Sequence, residues 1–187
     1  MDKEKKIVSV FGSSRPREGD ADYEQARGLG RALAECGFAV CTGGYSGVME
    51  AVSRGAKEGG GYTIAVTTKF FRSKTNAWVD EERGVGSWQE RLFGLIQHGD
   101  GYVACNGGTG TLAEFAVVWE MLNKGVISGK PFVVLGGFWL PVLEQVRGVE
   151  LDGGQRSGES DRRVVHAVPT YTEAAAFLAR ALSADGH

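Results

Sequence analysis

A chain of 187 residues, 42% hydrophobic and 24% charged, suits one globular domain built on a single core. Its formal net charge of -2 supplies no general basic field, and no apolar run approaches the roughly 20 residues that cross a bilayer, so neither a nucleic-acid nor a membrane partner is expected. The 29 glycines are the one excess over ordinary composition and call for a positional explanation.

The opening MDKEKKIVSVFGSS moves from charge directly into a short β-rich run. It lacks the longer apolar region and cleavage site of a signal peptide, so a cytoplasmic location is expected. Ile7 to Phe11 reads as a strand ending at Gly12-Ser13-Ser14, and a helical pattern follows from about Asp20 to Cys36. Phe38 to Cys41 is a second strand ending at Thr42-Gly43-Gly44, Gly47 to Lys57 a second helix, and Tyr62 to Val66 a third strand. The charged Glu81, Glu82, Arg83 and Glu90 read as a solvated segment, with Arg83 close enough in sequence to contribute to binding.

A helix is predicted from Ser87 to His98, with Trp88, Leu92, Leu95 and Ile96 on one face, followed by a strand from Gly101 to Cys105. Leu112, Phe115, Trp119 and Leu122 recur at helical spacing, and Pro131 to Leu135 is the next strand. Gly148 to Arg163 is polar and glycine-containing and reads as a mobile loop, with a lid over a cleft as the sharper alternative. A last strand near Val164 to Val168 and a helix from Thr172 to Leu182 complete the chain. Apolar strands alternating with helices define an α/β, doubly wound, Rossmann-like parallel sheet with helices on both faces, as a single domain over residues 1–187.

Cys36, Cys41 and Cys105 form no C-x-x-C and do not cluster with His98, His166 or His187. They read as small buried residues, and neither a metal nor a cofactor is expected.

In an open parallel sheet, ligands bind beyond the carboxyl ends of the strands. Three glycine-rich turns fall there: Gly12-Ser13-Ser14, Thr42-Gly43-Gly44-Tyr45-Ser46-Gly47, and Asn106-Gly107-Gly108-Thr109-Gly110-Thr111. Each lies between a strand and a helix, where free backbone amides suit a phosphate. Neither G-x-G-x-x-G nor a P-loop pattern occurs, which disfavours a dinucleotide or ATP-hydrolysing reading. Thr111-Leu112-Ala113-Glu114 fits a capping box, which leaves Glu114 open between a helix cap and a catalytic acid; Glu50 carries the same ambiguity. Arg91 flanks the apolar stripe of its helix, either as a solvated arginine or turned to the crevice, where it could pair with Glu114 or with a phosphate.

These residues resemble the LOG family, the cytokinin riboside 5'-monophosphate phosphoribohydrolases of the wider Rossmann-like SLOG group. The family pattern P-G-G-x-G-T-x-x-E is matched by Asn106 to Glu114, with Asn106 in place of proline. The earlier G-G-G-x-x-G-x-M-G resembles Thr42 to Glu50, Met49 included, with Thr42 and Glu50 departing. The family arginine corresponds to Arg91, fifteen residues before Asn106, with Gln89 and Leu92 where the family has histidine and lysine. The similarity covers roughly residues 6–145.

The resemblance implies a homodimer that hydrolyses the N-glycosidic bond of a nucleoside 5'-monophosphate, with Arg91 and Glu114 as the catalytic pair. Arg91 is expected to hold Glu114 ionised. Ser13, Ser14 and the turns from Gly43 to Gly47 and Gly107 to Thr111 would hold the phosphorylated ligand. Such proteins are sometimes labelled lysine decarboxylases, but nothing in the chain marks a pyridoxal-phosphate site. Two non-catalytic alternatives use the same pocket: a phosphorylated-ligand carrier similar to the molybdenum-cofactor carriers, and a nucleotide-sensing interaction protein.

Overall fold

A computed structural model describes residues 5–152 and 164–184. The elements run β1 (Ile7–Phe11), α1 (Ala21–Glu35), β2 (Ala39–Thr42), α2 (Val48–Glu58), β3 (Thr63–Thr68), a 3-10 turn (Lys69–Phe71), β4 (Glu81–Val85), α3 (Trp88–His98), β5 (Gly101–Ala104), α4 (Thr109–Asn123), β6 (Phe132–Leu135), α5 (Leu140–Asp152), β7 (Val165–Val168) and α6 (Tyr171–Ala184). The strands form one seven-stranded parallel sheet in the order β4-β3-β2-β1-β5-β6-β7. The order reverses direction between β1 and β5, which makes their carboxyl ends the switch point where such sheets open a crevice.

Each face of the sheet buries its own core. On one face Val8, Val10, Val40 and Val103 pack against Leu29 and Leu33 of α1, Val52 of α2 and Leu178 of α6. On the other, Phe11, Ile64, Tyr102 and Phe132 pack against Leu95 and Ile96 of α3, Phe115 and Trp119 of α4, and Leu143 of α5. Burial on both faces is why the strands read as continuous apolar runs rather than as alternating patterns. Part of the glycine excess lies where α1 and α2 cross: a Cβ on Gly30 would meet the Val52 carbonyl, and one on Gly55 the Arg27 carbonyl.

Four sequence expectations change. The Glu81–Val85 segment is an edge strand, paired with β3 from Ile64↔Glu81 to Thr68↔Val85. Its charges suit an edge, where they discourage further strand pairing. Gly148 to Asp152 belongs to α5, while the remainder of the expected loop, 153–163, lies outside the described residues. Trp88 opens α3 half-exposed instead of joining the buried Leu92, Leu95 and Ile96. Cys36, at the C-cap of α1, is exposed, whereas Cys41 and Cys105 are buried.

Candidate active site

The three glycine turns meet at the switch point and are stitched through their backbones. The Ser13 amide donates to the Asn106 carbonyl (3.0 Å), and the Val48 amide donates to the Ser13 carbonyl (2.8 Å). The Ser46 hydroxyl donates to the Ser14 carbonyl (3.0 Å). Between them lies a cavity of about 1040 Å³. Its walls include Gly12, Ser13, Ser14, Gly43, Met49, Gly107, Gly108, Thr109, Gly110, Thr111, Arg91 and Glu114. Gly44 and Gly47 do not line it; they shape the turn behind it, at φ of 77° and 71°.

Helix α4 begins at Thr109, two residues before the expected capping position, and Gly108 caps it with no side-chain bond. Its first closing bond runs from the Leu112 amide to the Gly108 carbonyl (2.9 Å). The amides of Thr109, Gly110 and Thr111 therefore precede any i−4 carbonyl and carry the partial positive charge of a helix start. Among the described residues they have no protein acceptor. A capping box does not form: Thr111 is buried in the third position of the helix, and Glu114, one turn further in, faces the cavity.

Arg91 is 7% exposed, which removes the solvated reading. Its Nε donates to the Val66 carbonyl (3.1 Å), its Nη2 lies 3.8 Å from the Met49 sulfur, and its guanidinium carbon sits 5.4 Å from the rings of both Tyr45 and Phe71. Tyr45 is anchored in turn, its hydroxyl donating to the Thr68 carbonyl (2.9 Å). The group also occupies the space beside Gly43, where a Cβ would collide with Nη2. The remaining nitrogen, Nη1, lies 3.6 Å from Glu114 Oε1.

That separation is longer than a charge-assisted hydrogen bond, so Arg91 acts on Glu114 through charge alone. Burial is the larger effect. It pushes the Glu114 carboxyl up to about 7, with Arg91 opposing the rise. The expectation that Arg91 holds Glu114 ionised is thus corrected: the carboxyl is poised between its two forms near neutral pH.

Other expected contributors stand elsewhere. Arg83, on β4, binds Glu81 (2.6 Å) and the His98 ring (2.7 Å) and does not line the cavity. Glu50 does not line it either. Walls that the sequence reading did not name include Arg15, Asp20, Asp22, Phe71, Ser73 and Phe138. Tyr45 and Ser46, inside the Gly43 to Gly47 turn, also line the cavity, whereas Phe71 comes from a segment with no pattern of its own.

Fold and site together define a doubly wound, Rossmann-like α/β protein with a glycine-walled crevice at its switch point and, inside it, a buried arginine beside a cavity-lining carboxylate. The chain belongs to the SLOG cluster4 family (LDcluster4), whose model matches residues 5–144. It is 32% identical over 177 residues to the cytokinin riboside 5'-monophosphate phosphoribohydrolase LOG of Oryza sativa subsp. japonica, covering 90% of this chain and 70% of that protein. Its structure superposes on the molybdenum cofactor carrier protein of Chlamydomonas reinhardtii with a TM-score of 0.73 and 29% identity, covering 96% of this chain and 99% of that one. The molybdenum cofactor binding protein of Rippkaea orientalis gives a TM-score of 0.72 at 26% identity, covering 95% and 98%. Among the described residues, no helix is long and apolar enough to cross a membrane.

Proposed function

We propose that the protein hydrolyses the N-glycosidic bond of a nucleoside 5'-monophosphate, releasing the base and ribose 5-phosphate. The observation that carries this reading is a carboxyl poised near neutrality, 3.6 Å from a caged guanidinium, one helical turn inside a cradle of free amides.

The amides of Thr109 to Thr111 hold the 5'-phosphate, helped by Ser13, Ser14 and the Thr109 hydroxyl. Breaking the bond between C1' and the base nitrogen sends its electron pair to the base and builds positive charge on the ribose ring. Glu114 in its ionised form stabilises that charge and takes a proton from the attacking water, whose oxygen bonds to C1'. The proton then passes to the departing base. Arg91, held by the Val66 carbonyl and packed against Tyr45 and Phe71, favours the ionised form of Glu114 through its charge and so partly offsets the effect of burial. These steps call for neither a metal nor a redox cofactor. One domain over residues 1–187, a homodimer and a cytoplasmic location belong to the same proposal.

Incubation with a panel of nucleoside 5'-monophosphates, followed by chromatography of released bases, tests it. Turnover is expected to rise with pH through about 7 as Glu114 loses its proton. Glu114→Gln is expected to lower it by about 100-fold or more. Unchanged base release in both Glu114→Gln and Arg91→Ala would sink the mechanism. The near full-length match to molybdenum cofactor carriers supports a second reading, a non-catalytic carrier of a phosphorylated ligand. Tight binding without turnover, indifferent to Glu114→Gln, would favour that reading.

A further inference from the structure

Asn106 is the residue of the glycine motif that the proposed reaction leaves without a role. Its side-chain Nδ2 donates to Asp22 Oδ1 (2.9 Å), joining the turn after β5 to the first turn of α1. Both residues line the cavity, and Asp22 is half-buried. Among the described residues Asp22 Oδ2 has no hydrogen-bond partner, so the amide fixes the carboxylate by one oxygen and leaves the other as an acceptor. A proline at 106 would have no donor with which to do this. The neighbouring cavity carboxylate, Asp20, differs: it is exposed and its Oδ2 accepts from the Arg17 amide (2.8 Å).

Asp22 lines the same cavity as Thr111 and Glu114, which has room for a sugar. Along α4 the phosphate cradle ends at Thr111 and Glu114 lies three residues on, roughly 4.5 Å along the helix axis. With phosphate at the first point and C1' at the second, the ribose lies between them. Asp22 is tied to the residue immediately before Gly107, at the head of that same cradle. A carboxylate oxygen there accepts from a hydroxyl and repels a second phosphate.

We propose that Asp22, oriented by Asn106, is a specificity-determining residue that accepts a hydrogen bond from a ribose hydroxyl and restricts the site to ribonucleotides. The inference rests on the nucleotide reading above. A hydrogen bond to a charged group corresponds to about a tenfold to hundredfold change in affinity.

Binding of AMP, 2'-deoxy-AMP and 3'-deoxy-AMP is measured by titration calorimetry in the Glu114→Gln protein, so that nothing turns over. AMP is expected to bind at least about tenfold more tightly than the analogue lacking the bonded hydroxyl, and the two deoxy compounds identify which hydroxyl that is. Adding Asp22→Ala brings AMP down to the level of that analogue and leaves the analogue itself unchanged. Asn106→Ala keeps the carboxylate but frees it, and narrows the ratio by less; it also serves if Asp22→Ala fails to melt cooperatively. Equal binding of all three nucleotides, or an equal loss for all three in both variants, overturns the inference while leaving the nucleotide reading intact. Failure of every nucleotide to bind overturns both.

Discussion

The turns after β2 and β5 both look like phosphate cradles in the sequence, yet their glycines answer to different neighbours. In the first, Gly44 and Gly47 have φ of 77° and 71°, and a Cβ would meet the Ala65 side chain at 2.6 Å in one case and the Ser13 carbonyl in the other. Gly43 is held clear of a side chain by the Arg91 guanidinium. In the second turn, Gly108 and Gly110 have negative φ and nothing within 4 Å of where a Cβ would stand. The first turn is glycine-rich because protein fills its space. In the second, the Thr111 side chain fills the space beside Gly107, but Gly108 and Gly110 stand beside a space the protein leaves open, where a ligand can approach the backbone.

Gly47→Ala should break the first turn with the largest effect. An L-residue at φ 71°, ψ -133° is strained, and its Cβ would push against the Ser13 carbonyl that accepts the bond closing two of the three turns. A loss of at least about 3 kcal/mol is expected, which for a domain of this size lowers Tm by roughly 6–12 °C in a calorimetric scan. A fall of only a degree or two would mean that the turn relaxes freely and does not brace the site.

The second turn connects to the interior through Glu114, and there pH is the probe. Burial raises this carboxyl from 4.5 to about 7, so between those values the folded protein keeps a proton that the unfolded chain releases. Its contribution to stability is fully present below the unfolded value and is lost as pH rises through about 7. The decline amounts to about 3 kcal/mol. His98, lowered by burial and by Arg83, works in the opposite direction around its ordinary value of 6.5. Because it is common to both proteins, the difference between wild type and Glu114→Gln isolates the carboxyl. Denaturant titrations at pH 5 and pH 8 should show wild type losing stability relative to the variant, and parallel profiles would remove Glu114 from the buried class.

The same contrast explains what could be read in advance. Strands such as Val8 to Phe11 and Phe132 to Leu135 announce themselves because burial on both faces demands apolar residues throughout. Strand β4, EERGV, carries no such pattern, since an edge strand is held by its ladder to β3 more than by its side chains. Helix α5 was hidden by Pro141, which the first turn of a helix tolerates, and by Gly148 within it. The pairing of Arg91 with Glu114 came from the family resemblance; the residues alone left Arg91 open between solvent, Glu114 and a phosphate. The burial of Arg91 was not legible, because Tyr45, Val66 and Phe71 come from distant points in the chain and only the fold gathers them around it.

The smallest effect on stability should come from Gly110→Ala, and it is the sharpest test of the contrast. Gly110 is the second residue of α4, at negative φ, with open space where the new methyl would stand. Alanine there restricts the unfolded chain and favours the helix, by up to about 1 kcal/mol. The variant is thus expected to melt slightly higher than wild type, by roughly 1–4 °C, while the methyl enters the cavity beside the amides and weakens binding of inorganic phosphate or AMP. A gain in Tm with a loss of affinity is what a glycine kept for a ligand produces. Lower stability with affinity unchanged would return Gly110 to the class of Gly47, a residue set by the backbone, and would move the phosphate away from the start of α4.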